Sequence, residues 1–360
     1  MGFRYIGSKE KLSANIISEI RHINPDAEHV IDLMAGTGQF SLALREAGFQ
    51  VSAVDVMTYS YHHLNVHLFL DQPPSFTGME HITEVGNADN FTLFPLNNYE
   101  KTLNYLNRLN PVNGYFFNEF SPDGSPVNAT KPRHYFTAMN ASKIDVIRQE
   151  IKRLHRFQHI SDLEHSLLLH DLIMSANDIA NIAGTYGHYL SKLVKRSETP
   201  IKLTPTTFSQ IGQISGHHVY QGYAEDIAPQ LAADICYIDP PYIKRQYAAN
   251  YHILETLARE DEPEAIGESG LRPWRDQYSN FCSKLKIRNA FDAILSRVQC
   301  RDFLISYSED GLLSINDLTS FLSTYGEVTR KEIKYKRFRS NDSQKEANLN
   351  EYLIHLKKIN

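Results

Sequence analysis

The chain has 360 residues, of which 42% are hydrophobic and 22% charged, and a formal net charge of −5. These values exclude a disordered polymer, a collagen-like repeat and a protein that coats nucleic acid through overall positive charge. Cys236, Cys282 and Cys300 are too few and too widely spaced for a disulfide framework or a zinc knuckle. No apolar run approaches the roughly 20 residues of a membrane span. Met1–Lys9 carries charge where a signal peptide needs apolar residues. The expectation is a cytoplasmic protein with no membrane contact.

The predicted elements begin with a helix over 9–23, whose apolar residues fall at 12, 16, 17, 20 and 23. Val30–Met34 is a short buried strand, Ala35-Gly36-Thr37-Gly38 breaks it, and a helix runs on through Leu42 and Leu44. Gly48 stops that helix, and Val51–Asp55 is the next strand, which completes a βαβ unit. Residues 87–140, rich in Asn, Tyr, Phe and Pro, read as irregular. From Ser142, taken as an N-cap, Ile144, Ile147, Ile151 and Leu154 share a helical face, and 164–182 and 186–194 read as further helices. The α/β rhythm returns with a strand at Ile235–Ile238, helices near 251–259, 290–298 and 315–325, and a strand at 303–306. Antiparallel strands near 328–338 and 351–356, joined by a polar turn at 340–345, close the chain.

Two motifs carry chemistry. Glycines after a buried strand let backbone N–H groups approach a ligand, and the helix they open favours negative charge. Here that turn is Asp32-Leu33-Met34-Ala35-Gly36-Thr37-Gly38, with Asp55 ending the next strand, where a carboxylate can accept from ribose hydroxyls. The pair points to a nucleoside cofactor. Ser41 stands where the dinucleotide fingerprint wants a third glycine, which disfavours that class.

The second motif is Asp239-Pro240-Pro241-Tyr242, directly after a strand. Two prolines remove two backbone donors and leave their carbonyls free to accept. Beside them stand a carboxylate and a flat aromatic face. The set suits a planar amine: one N–H goes to the carboxylate, the other to a proline carbonyl, and the ring stacks on Tyr242. His63 and His67 lie one helical turn apart but lack the Glu of a zinc-protease pattern, so no metal is expected.

On these motifs the chain resembles the amino methyltransferases that use S-adenosylmethionine, in particular bacterial restriction–modification DNA adenine methyltransferases. Tyr5-Ile6-Gly7-Ser8-Lys9, the glycine loop, a long insert and then Asp239–Tyr242 follow the motif order called alpha in that family. Arg245-Gln246-Tyr247 and Asn250-Tyr251-His252 resemble its extension after the catalytic motif. Many relatives have Asn where this chain has Ile243, and Asp where it has Tyr223.

The resemblance implies an α/β, Rossmann-like S-adenosylmethionine methyltransferase sheet with helices on both faces, formed by 1–65 and 216–360. A mostly helical insert, 66–215, would bind DNA and recognise the target. It implies methyl transfer to the N6 amino group of adenine at a specific site in double-stranded DNA, by base flipping and direct in-line transfer. Ribosomal RNA adenine methylation, or a silent DNA-binding protein on the same fold, are the alternatives. Catalysis would fall to Asp239, Pro240, Pro241 and Tyr242. S-adenosylmethionine would be held by Tyr5, Gly7, Ser8 and Lys9, by Asp32, Met34, Ala35, Gly36, Thr37 and Gly38, by Asp55 and Val56, and by Asp239. Asp226, or else Glu225, would contact its adenine. DNA contacts are expected from Lys244 and Arg245, which flank the pocket, and from Lys334, Lys336 and Arg337. Those three belong to a basic stretch that a lysine-guarded edge strand accounts for equally well. Lys131, Arg133, Arg148, Lys192, Lys195 and Arg196 would help the insert grip the duplex. A bacterial, nucleoid-associated monomer working alongside a cognate restriction endonuclease completes the expectation.

Overall fold

In the computed structural model, which describes residues 12–84, 95–209, 215–336 and 348–359, the apolar runs become strands of one sheet. The strands are β1 (His29–Leu33), β2 (Gln50–Asp55), β3 (His218–Gln221), β4 (Ile235–Ile238), β5 (Asp302–Ser308), β6 (Gly326–Lys336) and β7 (Asn348–Lys358). Their order is β3-β2-β1-β4-β5-β7-β6. The pairs from β3 through β5 are parallel. β7 runs antiparallel to β5 and β6. The order follows the doubly wound 3-2-1-4-5 pattern, with one antiparallel strand inserted before the last. The mixed α/β architecture matches the Rossmann-like sheet expected from the sequence.

Side chains alternate across this sheet because successive strand residues point to opposite faces. Ile31, Leu33, Cys236, Ile238, Phe303 and Ile305 pack on one face against the helices Ile287–Arg297 and Ile315–Leu322. Val30, Val51, Ala53, Ile235, Tyr237 and Leu304 pack on the other against the helices Ser13–Ile23 and Gln39–Glu46. Helices therefore cover both faces, and the parallel strands read as continuous apolar runs for that reason. The starts of β1 and β4 are aligned by Asp234, whose carboxylate accepts from the Glu28 and His29 N–H groups at 2.9 Å.

Contacts divide the chain into two units. The sheet unit holds the described residues of 7–68, 212–248 and 277–360; the helical unit holds those of 69–211 and 249–276. The insert expected over 66–215 did not include 249–276. Within the helical unit, Thr137 caps the helix Ala138–Arg156 by accepting from the Asn140 N–H at 3.2 Å. Ser142, expected as that cap, lies inside the helix and donates to the Ala138 carbonyl at 2.9 Å. Ser161 and Glu164 form a capping box on the helix Asp162–Ile179.

Two other expectations are corrected. Residues 87–140 contain the helices Asn98–Arg108 and Tyr115–Phe120, the first set by an Asn97/Glu100 capping box. Residues 186–194 are not helical: the spacing of Tyr186, Tyr189, Leu190 and Leu193 imitates a helix, but the Asn181 amide takes the Leu190 carbonyl at 2.8 Å and the Val194 N–H at 3.2 Å. An antiparallel bridge joins Ile182 to Tyr189. The polar turn expected at 340–345 lies outside the described residues. Among the described residues no helix is long and apolar enough to cross a membrane.

Candidate active site

In a doubly wound sheet, ligands bind beyond the carboxyl ends of the strands, where the strand order reverses. Here that point lies between β1 and β4. Leu33 of β1 pairs in register with Ile238 of β4, so the glycine turn and Asp239-Pro240-Pro241-Tyr242 leave the sheet side by side.

The turn is built from left-handed backbone: φ is 63° at Met34, 58° at Gly36 and 73° at Gly38. Met34 bears a steric cost there that glycine avoids. A Cβ on Gly38 would also lie 3.0 Å from both His67 Cδ2 and Leu64 Cδ2. Asp55, at the end of β2, holds the turn by accepting from Gly36 N–H and Met57 N–H, both at 2.8 Å. A carboxylate has about four acceptor positions, and these two bonds orient the Asp55 carboxylate at the turn. Gly38 is the N-cap of the helix Gln39–Glu46 and supplies no side chain, leaving the first-turn N–H groups directed at the turn.

Asp32 is 1% exposed, and Ser41 donates to its carboxylate at 2.5 Å. Ser41 thus has a positive role at the position where a dinucleotide fold needs glycine. Burial pushes the Asp32 carboxyl up to about 7, and the charges of Asp239 and Asp55 push in the same direction. Three carboxylates therefore converge on this edge of the sheet. His67 borders the turn, sharing a 3.1 Å hydrogen bond with Gln39; burial, then the nearby Arg45 charge, lower it to about 4 and keep it neutral. Among the described residues no group of three or more His, Cys, Asp and Glu is arranged to hold a metal ion.

Gly222 N–H donates to the Asp55 carbonyl at 2.9 Å and brings the segment after β3 to the same edge. In that segment Asp226 is exposed, while Glu225 is half-buried and accepts from Asn280 at 3.3 Å. Val56 is held through its carbonyl by Gln277 at 3.0 Å. Pro240 is buried; Asp239, Pro241 and Tyr242 are partly exposed; Lys244 and Arg245 are exposed. The extension after the motif is fastened by Gln246, which exchanges two hydrogen bonds with the Ser279 backbone at 3.1 and 2.8 Å. Gln277, Ser279 and Asn280 were not expected at the site because no motif marks them.

Tyr5, Gly7, Ser8, Lys9 and Arg337 lie outside the described residues. Lys334 and Lys336 sit on β6, the last strand of the sheet. In the helical unit, Lys131, Lys192 and Lys195 are exposed. Arg133 and Arg148, expected to grip DNA, are 0% and 2% exposed. Arg133 is ion-paired to Glu119 and donates to the Gly267 and Ala265 carbonyls. Arg148 donates to the Asp261 carbonyl and pairs with Glu262 at 3.1 Å. Arg196 is exposed and donates to the Ala180 and Ile182 carbonyls.

The family described as D12 class N6 adenine-specific DNA methyltransferase matches residues 5–321. The chain belongs to that family. It is an adenine-specific DNA methyltransferase, and the family implies a methyl donor. The chain is 34% identical to the type II methyltransferase M.FokI of Planomicrobium okeanokoites over 363 residues, which cover 99% of this chain and 52% of that protein. It is 30% identical to M.NlaIII of Neisseria lactamica over 346 residues, covering 94% and 93%. It is 32% identical to M.CviAII of Paramecium bursaria Chlorella virus 1 over 355 residues, covering 97% and 97%. The chain thus spans about half the length of M.FokI and nearly all of the other two.

Proposed function

We propose that this D12 methyltransferase takes S-adenosylmethionine as its donor and methylates N6 of adenine at a specific site in double-stranded DNA, with Asp239–Tyr242 as the reacting motif. The observation that carries the reading is the register of Leu33 with Ile238, which sets a nucleoside-type turn and an amine-accepting motif on one edge. The residue set fits the cofactor: Asp55 and Asp239, at the ends of β2 and β4, offer carboxylates where a molecule with cationic sulfur and an ammonium group needs them, and Asp32 lies buried beneath the turn between them. S-adenosylmethionine, when bound, supplies a methyl group already activated by positively charged sulfur. Gly36, Thr37 and Gly38 let the backbone approach it, Met34, Ala35 and Val56 line its edge, and Asp55 accepts from its ribose. Asp226 takes its adenine.

The chain's own part is positioning and charge placement. The Asp239 carboxylate and the Pro240 carbonyl accept the two N–H groups of the adenine amine, which draws its lone pair out of the ring. Tyr242 stacks on the base. A base paired inside a duplex cannot reach a sheet edge, so it is turned out of the helix. Direct transfer needs no protein nucleophile. Consistent with this, Cys236, three residues before Asp239, is fully buried with its thiol pushed well above the usual range. Lys244 and Arg245 meet phosphates beside the pocket, and the helical unit grips and reads the duplex. The chain acts with a cognate restriction endonuclease, a reading supported by type II methyltransferases among its relatives.

The test is product analysis after incubation with labelled S-adenosylmethionine and either DNA or RNA. The expected product is N6-methyl-2′-deoxyadenosine from DNA. Label on RNA alone, or on cytosine, overturns the reading.

A further inference from the structure

Tyr242 is held through both its backbone and its ring by one short segment of the sheet unit. β5 ends at Ser308, and a turn follows in which Gly311 N–H donates to the Ser308 carbonyl at 3.0 Å. The next amide, Leu312 N–H, donates to the Tyr242 carbonyl at 2.9 Å. The amide after that, Leu313 N–H, donates to the Tyr307 hydroxyl at 3.0 Å. Tyr307 is fully buried, and its ring meets the ring of Tyr242 edge to face, with centroids 5.9 Å apart and planes at 63°. Gly311 closes the arrangement. A Cβ there would stand 2.3 Å from Tyr307 Cε1 and 2.4 Å from Cζ, closer than atoms pack.

We propose that Tyr307 and the Leu312 amide are positioning elements for methyl transfer: they set the plane of the Tyr242 ring before a base arrives. Gly311 is the residue that lets Tyr307 sit there. The inference rests on the reading of Tyr242 as the stacking face. A stacking partner contributes fully only if its plane is fixed in advance, because ordering it on binding subtracts from the interaction. Packing from Tyr307 fixes one side of the ring, and the Leu312 hydrogen bond fixes the backbone from which the ring projects. The Tyr307 hydroxyl adds what a phenylalanine lacks, an acceptor that ties the 311–313 backbone to the ring pressing on Tyr242.

The experiment is a mutant cycle on the whole protein: Tyr307→Ala, Tyr242→Ala and the double variant, with kcat and KM for DNA, S-adenosylmethionine affinity and unfolding midpoint measured for each. Tyr307→Ala and Tyr242→Ala should each lower kcat/KM for DNA by about 10- to 100-fold, the range of one base–aromatic stack. Donor affinity should be unchanged. The double variant should be no worse than Tyr242→Ala, because a residue that acts through a ring has nothing to position once the ring is gone. Tyr307→Phe, which keeps the ring, should lose less than Tyr307→Ala. If Tyr307→Ala does not fold, Gly311→Ala, which displaces the Tyr307 ring, takes its place in the cycle. Full additivity in the double variant overturns the proposal, as does unchanged turnover in Tyr307→Ala when Tyr242→Ala is impaired. Unchanged turnover in Tyr242→Ala instead removes the stacking role itself, and the positioning role with it.

Discussion

At the carboxyl end of β1, burial and two like charges act on Asp32 together, while one hydroxyl opposes them. The sign of the consequence follows from linkage. A carboxyl whose pKa is raised in the folded state holds its proton at pH values where the unfolded chain has lost it. Its contribution therefore moves against folding as pH rises from about 4, the unfolded value, to about 7. Asp32→Asn keeps an acceptor for Ser41 and removes the titration. In urea melts across this range, the stability of the parent should fall relative to Asp32→Asn as pH increases. A difference that stays constant with pH would contradict the assignment. The placement of Asp32, Gly36, Gly38, Asp55 and Asp239–Tyr242 at the ends of neighbouring strands was legible because each stands in a motif that ends or directly follows an apolar run. Ser41 was visible only as a departure from a fingerprint, since its partner is set by the fold.

Among the elements, β1, β2, β4 and β5 were legible because both their faces are covered, which requires unbroken apolar runs. β3 was not. Its four residues, His218–Gln221, form the sheet's end strand with a half-exposed surface, and their polarity matches a loop. The helix Thr58–Phe69 was hidden for the opposite reason: nearly every residue from Tyr59 to Leu68 is buried, so it shows no polar stripe for a period of 3.6 to reveal. In the helical unit Arg133 and Arg148 were misread, because charge alone does not distinguish a phosphate contact from an internal pair. Arg133 and Glu119 are both buried, and removing one partner strands the other. Arg133→Ala should cost about 3–5 kcal/mol in urea unfolding. Exposed Lys131→Ala should stay within about 0.5 kcal/mol. Equal effects of the two would contradict this division of roles.

For the molecule as a whole, a net charge of −5 has to be reconciled with a polyanionic substrate. The proposed function resolves the conflict through local charge: Lys244 and Arg245 are exposed next to the motif. Each phosphate that a basic side chain neutralises releases counterions. Replacing both residues with alanine should therefore flatten the plot of log affinity for DNA against log salt, by about one for each phosphate left without its cation. An unchanged slope would show that neither touches the backbone. The account depends most on the juxtaposition of β1 and β4 and on what Asp239 does there. The direct measurement compares parent and Asp239→Ala in two assays: S-adenosylmethionine binding by calorimetry, and transfer of its labelled methyl group to DNA. Asp239→Ala should bind the donor more weakly but measurably, and at saturating donor should lose methyl transfer by about three orders of magnitude, the scale of removing a charge-placing group. Transfer at the parent rate by Asp239→Ala would contradict the account.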